Sequence, residues 1–180
     1  MSRINDTKEF MPVRIAVLTV SDTRDASQDT SGDILVARIE SAGHILADRQ
    51  IIRDERADIA SQLRNWIADA NVDVVISTGG TGLTGRDVTV EAHRDVYEKE
   101  IEAFGTVFTI VSMKKIATSA VQSRATGGVA GGTYLFALPG SPGACKDAWD
   151  EILSLQLDYR HQPCNFVEIM PRLDEHQRRK

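Results

Sequence analysis

The sequence predicts an α/β fold, a three-layer, mostly parallel β-sheet with helices on both faces. Three observations carry this. "VRIAVLTVS" (13–21) and "VDVVIST" (72–78) are near-continuous β-branched runs, the pattern of strands buried on both faces of a parallel sheet. Stretches with one apolar stripe alternate with them, as in "ERADIASQLRNWIADA" (55–70), where Ile59, Leu63, Trp66 and Ile67 recur at helical spacing. The alternation runs along one chain of 180 residues, enough for a single domain with a full core.

Taken in order, residues 1–12 are polar, end at Pro12, and read as a flexible arm or one that packs on a partner. The first strand (13–21) leads into "SDTRDASQDTSGD" (21–33). Ser31 is the expected N-cap of a helix "GDILVARIESAG", with Gly43 as its C′ residue. A second strand covers 44–52, and Asp54 lies just past it. Helix 55–70 and strand 72–78 follow. Beyond the glycine-rich loop, "VEAHRDVYEKEIEAF" (90–104) reads as a helix, capped by Thr89 or Asp87. For 105–117, β-branched content favours strand, while length and the Met113-Lys114-Lys115 ending allow helix. A fourth strand is expected at 133–138, after a short strand that ends at Gly131-Gly132, and it runs into the Pro-Gly-Ser-Pro turn 139–142. "ACKDAWDEILSLQLDYR" closes the domain as an amphipathic helix. One domain then spans 13–168, with a polar tail at 169–180. Trp66 and Trp149 lie on helix stripes and are expected in the core or an interface.

In sheets of this kind ligands bind beyond the carboxyl ends of the strands. Four polar loops belong there, 21–31, 53–55, 78–89 and 139–142, and all are expected to face one cleft. The formal charge of −5 and pI near 5.4 argue against a chain that neutralises nucleic-acid phosphate. A small anion is still possible, because a few local donors can hold one. The first residues hold no long apolar stretch, so no signal peptide is expected there, and no apolar run approaches the ~20 residues that span a bilayer. A cytoplasmic protein without membrane or nucleic-acid contacts is expected, with Cys145 and Cys164 as reduced thiols.

"VVISTGGTGLTGRDVT" (74–89) carries the chemistry. Gly80-x-Gly82-x-x-Gly85 has the dinucleotide spacing, yet it follows the third strand instead of opening the first βα turn. Gly80 to Gly85 also has P-loop spacing, but Arg86 and Asp87 stand where Lys and Ser/Thr are required. What remains is physical. Glycines let backbone N–H groups approach an anion, threonines add hydroxyls, and Arg86 suits phosphate oxygens. Asp87 facing a bare phosphate would repel it. Mg²⁺ removes the conflict, since it binds one or two carboxylates together with substrate phosphates. Asp54 is the natural second carboxylate. The alternative makes Asp87 a cap and Asp54 a turn residue.

At "TGGTGLTGRDVTVEA" the chain resembles the MogA/MoaB family of molybdenum cofactor biosynthesis. "AVLTVSDTR", "DTSGD", "IIRDE", "QSRATGGVAGGT" and "ALPGSPGA" extend the resemblance over roughly residues 12 to 165. It implies a molybdopterin-binding domain that assembles as a homotrimer or homohexamer and works with a molybdate-insertion protein. It also implies an adenylyltransferase that moves AMP from Mg-ATP to the molybdopterin phosphate and releases pyrophosphate. The family's two functional aspartates fall on Asp54 and Asp87, to which Mg²⁺ is assigned. A carrier that holds molybdopterin without turnover is the rival reading. Gly79, Gly80, Thr81, Gly82 and Thr89 would receive phosphate, and Arg86 would either stabilise charge or pair with Glu91. Ser21, Asp22, Asp29 and Ser31 offer donors and acceptors to a pterin; as an alternative they form Asx turns and a helix cap. Ser123 and Arg124 would hold its phosphate or dithiolene end, or pair across a subunit interface. Pro139, Gly140 and Ser141 form the fourth loop. Ser141 departs from the Asn or Gln that many active members carry there. None of the four histidines is required, and His93 is expected at the surface or an interface.

Overall fold

The computed structural model describes residues 3–23, 25 and 27–178. Arg24, Ala26 and the extreme ends of the expected arm and tail lie outside them. In chain order the strands are β1 (Arg3–Ile4), β2 (Arg14–Val20), β3 (Ile45–Ile52), β4 (Val74–Thr78), β5 (Lys99–Glu100), β6 (Thr126–Ala130), β7 (Thr133–Leu138) and β8 (His161–Gln162). The helices are α1 (Thr30–Ser41), α2 (Arg56–Ile67), α3 (Thr89–Arg94), α4 (Glu102–Ile116), α5 (Pro142–Ala148), α6 (Ser154–Gln156), α7 (Phe166–Ile169) and α8 (Glu175–Arg178). A π-type segment, Trp149–Leu153, joins α5 to α6.

Six strands form the main sheet in the order β3-β2-β4-β7-β6-β5. The first four run parallel, while β6 is antiparallel to both β7 and β5. The β-branched run of β2 shows why the sheet has two covered faces. Ile15 and Val17 enter a core with Leu35, Ile39, Phe108 and Trp149, whereas Ala16, Leu18 and Val20 enter another with Ile59, Leu63 and Trp66. Side chains alternate across a strand, so a strand apolar at every position needs a helical layer on each side. Both tryptophans are core residues.

One expectation is corrected and one open choice is resolved. The helix proposed over 90–104 stops at Arg94. Edge pairing with β6 displaces it, because Glu98 and Ile101 donate their amides to Val129 and Gly127. Tyr97 also fills the space over Gly128, where a methyl group would lie 2.4 Å from its ring. The ambiguous 105–117 is helical, since Phe104, Phe108 and Val111 bury one face at helical spacing. Gly105 allows that helix to approach Ala125, whose carbonyl would sit 2.7 Å from an added methyl.

The segment read as an arm is joined to the body: β1 pairs with β8, Lys8 lies over the Tyr159 ring, and Phe10 packs on His44. Among the described residues no helix is long and apolar enough to cross a membrane.

Candidate active site

Where β2, β4 and β7 end, their loops enclose a cleft of about 600 Å³. All four predicted loops reach it through Ser21, Asp54, Gly79 to Gly82, Asp87, and Pro139 to Ser141. A fifth wall, Gln122 to Arg124, comes from the connection between α4 and β6. That wall was legible only through the family motif, because nothing in its composition marks it as facing a site.

The glycine loop is built to separate its donors from its acceptors. Gly79 and Gly80 adopt φ of 97° and 62°, which side chains rarely tolerate. The carbonyl of Gly80 accepts from the Thr89 amide at 2.9 Å. The carbonyls of Thr81 and Gly82 accept from Arg124 Nε at 2.9 and 3.1 Å. The amides of Gly80 and Thr81 have no partner among the described residues. The Gly79 amide, expected to meet phosphate, instead donates to Leu138 at 3.1 Å and continues the β4–β7 ladder.

Asp54 carries an unsatisfied oxygen in the cleft. Its Oδ1 is buried and makes no hydrogen bond, and the same holds for Thr89 Oγ1. Both atoms crowd Gly80: a methyl group there would lie 2.0 Å from the first and 2.4 Å from the second. Burial, followed by the nearby charges of Asp22 and Asp87, pushes the Asp54 carboxyl up from its ordinary range. Asp87 behaves oppositely. Its Oδ2 accepts from the amide and hydroxyl of Thr84 at 2.8 and 2.7 Å, and these bonds hold it below its ordinary range. It closes the glycine loop on itself and does not cap α3, whose N-cap position is Val88 with no side-chain bond. Thr89, the other expected cap, lies inside the helix with its hydroxyl turned to Gly80.

Several predicted site residues stand behind the cleft, not in its lining. Asp29 is buried and caps α1, accepting from Gly32 N, Thr19 Oγ1 and Arg49. Ser31, the expected cap, is already inside the helix and donates to the Gly140 carbonyl at 2.9 Å. Arg86 sits on the rim. It grips Asp22 through Nε and Nη2 and Glu55 through Nη1 at 2.9 Å, so the expected Glu91 pairing is replaced by this one. Glu91 pairs with Arg124. Ser141 lines the cleft and also caps α5, accepting from Ala144 N. His93 is fully buried and not at a surface. Its Nε2 meets Ser77 Oγ at 2.8 Å, and burial drives its pKa to about 3. The last turn of α3 presses this ring onto Ser77 of β4, a tertiary contact that helical spacing alone does not reveal.

Among the described residues no group of three or more His, Cys, Asp or Glu could hold a metal. An orphaned carboxylate oxygen beside unpartnered amides nevertheless fits a site that a cation and a polyanion complete together.

Residues 16–159 match the family described as "Probable molybdopterin binding domain". "Molybdenum cofactor biosynthesis protein B" of Escherichia coli (strain K12) is 48% identical over 158 residues, 88% of this chain and 93% of that one. The crystal structure of a molybdenum cofactor biosynthesis protein B superposes with a TM-score of 0.84 at 34% identity, covering 93% of this chain and 99% of the other. The tungsten cofactor synthesizing protein MoaB from Pyrococcus furiosus gives 0.70 at 32%, covering 79% and 91%. With four-fifths of its length inside the matched region, the chain belongs to the family of probable molybdopterin binding domains.

Proposed function

We propose that the chain acts in molybdenum cofactor biosynthesis as a molybdopterin adenylyltransferase. It would take AMP from Mg-ATP, attach it to the terminal phosphate of molybdopterin, and release pyrophosphate. The names carried by its relatives support the pathway. The observation that carries the reaction is the pairing of Asp54, whose buried Oδ1 has no hydrogen-bond partner, with the amides of Gly80 and Thr81, free among the described residues. Neither half is explained by folding alone.

In the reaction an oxygen of the molybdopterin phosphate forms a bond to the α-phosphorus of ATP. The bond from that phosphorus to the bridging oxygen breaks, and pyrophosphate leaves with the electron pair. The attacking phosphate is ionised at neutral pH, so no side chain has to remove a proton. That fits His93, which lies buried on β4 and away from the cleft lining. Positioning and charge neutralisation are then the main tasks. The amides of Gly80 and Thr81 would hold phosphate oxygens. Asp54 and Asp87 would hold Mg²⁺, which when bound supplies positive charge against the phosphates. Ser21, Ser123, Gly140 and Ser141 would line the remainder of the substrate site. Asp29 and Ser31 act from behind it, by fixing the start of α1 and the β7–α5 loop. We assign the chain to the cytoplasm as a homotrimer or homohexamer that passes its product to a molybdate-insertion protein.

Incubation with molybdopterin and Mg-ATP tests this reading. Pyrophosphate released above the rate without protein supports it. Tight binding of molybdopterin with no release would establish a carrier in its place.

A further inference from the structure

We infer that Arg124 is a positioning residue that braces the glycine loop whose free amides would face the anion, and not a ligand of that anion. The inference rests on reading the cleft as a polyanion site. A guanidinium offers five N–H donors in a fixed plane. In Arg124, Nε serves the carbonyls of Thr81 and Gly82, and Nη2 serves the Asp87 carbonyl at 3.4 Å and Glu91 Oε2 at 3.2 Å. Nη1 donates to Glu91 Oε1 at 2.6 Å. At most one N–H is left for a ligand.

The consequence lies in the loop. Between residues 80 and 82 every carbonyl is held, one by the Thr89 amide and two by Arg124. A peptide plane whose oxygen is tied to one side presents the next residue's N–H to the other: the Gly80 carbonyl, held by Thr89, sets the Thr81 amide, while the carbonyls held by Arg124 set the amides of Gly82 and Leu83 and so brace the loop immediately after the free pair. With successive positive φ at Gly79 and Gly80, the free amides of Gly80 and Thr81 form the concave backbone arrangement that suits anions. Glu91 completes the device. It lies in the first turn of α3, just past the loop, and it fixes the guanidinium plane through both oxygens. Arg124 in turn is the main cause holding the Glu91 carboxyl below its ordinary range.

The test uses the ligand-free chain, with inorganic pyrophosphate as the probe. Hydrogen exchange is followed at the amides of Thr84, Asp87 and Thr89, whose bonds close the loop. In Arg124→Lys these amides should exchange about tenfold faster with no anion present, the effect of losing one or two net hydrogen bonds. Exchange in β2 and β4 should stay at wild-type rates. Pyrophosphate affinity should fall, and saturating pyrophosphate should restore loop protection. Glu91→Gln, which removes the charge and one of the two acceptor oxygens of a partner outside the cleft lining, should shift exchange in the same direction by less. If both variants leave loop exchange at the wild-type rate, the inference is overturned, and a loss of pyrophosphate binding in Arg124→Lys would then make the arginine a direct ligand. A wild-type chain that binds no pyrophosphate would instead remove the functional reading, while the exchange data would still decide whether the clamp exists.

Discussion

The two ends of the parallel sheet hold cavities of similar size, about 600 Å³ at the carboxyl ends of β2, β4 and β7 and about 540 Å³ at the opposite end. Each has a pair of positive-φ glycines, Gly79-Gly80 and Gly131-Gly132, and each has an aspartate at a strand boundary, Asp54 and Asp73. Their difference is in bonding. Asp73 accepts from the Arg14 amide at 2.8 Å and from its guanidinium at 2.9 and 2.6 Å. Asp54 keeps a buried oxygen with no partner, and the amides beside it are free. Volume therefore does not separate the two cavities, whereas unsatisfied polar groups do, and they single out the one proposed as the substrate site.

The most severe way to probe the contrast is to neutralise each aspartate. Asp54→Asn should lower pyrophosphate release by roughly a hundredfold to a thousandfold, the scale of losing one electrostatic contact to the reacting groups. Asp73→Asn should leave kcat unchanged and cost stability of about 1–3 kcal/mol, as removal of a bonded charge does. Turnover is read by pyrophosphate release and stability by urea denaturation. Equal losses of turnover in both variants would erase the distinction.

A methyl group sharpens it further. In Gly80→Ala the new carbon meets Asp54 Oδ1 and Thr89 Oγ1 under a left-handed backbone, so activity should fall by about a hundredfold or more. Gly85→Ala in the same loop has nothing within 4 Å and should behave as wild type. Steady-state kinetics on the two variants separates a shaped cradle from a merely flexible loop.

The folded fold-class pattern was open to reading because it depends on local periodicity. Alternating strands and stripes, the helix end at Gly43 and the buried Trp66 all follow from residues within a turn or a strand of one another. Asp54 could be singled out for a related reason, since it follows a strand and strand ends converge, and Asp87 because it closes the glycine loop after β4. What could not be read were partners distant in the chain. Arg86 is held by Asp22, 64 residues away, and Arg124 by loop carbonyls 42 and 43 residues away. His93 looks like a surface residue until β4 is laid beneath it. The split of 90–104 likewise follows from pairing with β6, a strand 30 residues later, where Lys99 sits opposite Val129.

Acidity gives a smaller effect of opposite sign at the two aspartates involved in the cleft and its support. Asp54 titrates above its unfolded value, so the folded chain binds the extra proton, and its contribution favours folding at low pH and is lost as pH rises through the raised value. Asp54→Asn should therefore raise the Tm of the ligand-free chain at pH 7 by roughly 2–4 °C for each kcal/mol recovered, and the gain should vanish in acid. Asp29, held low by Arg49, Thr19 and Gly32 against its burial, gives the reverse: its stabilisation is present above the unfolded value and is lost as pH falls. Thermal melts from pH 3 to 8 on both Asn variants would show the crossing, and parallel curves would refute it. The smallest change expected is in Thr89→Val. Removing a buried hydroxyl without a partner should leave stability unchanged or raise it by about 1 kcal/mol.

The decisive measurement is calorimetric titration of ATP into the wild-type chain and Asp54→Asn, each with Mg²⁺ and with a chelator. Wild-type binding should be strong with Mg²⁺ and fall by about tenfold or more without it, while Asp54→Asn should lose most of that difference. Wild-type affinity that ignores the chelator, or full Mg²⁺ dependence in Asp54→Asn, would contradict the assignment of that unpaired carboxylate to a cation shared with the substrate.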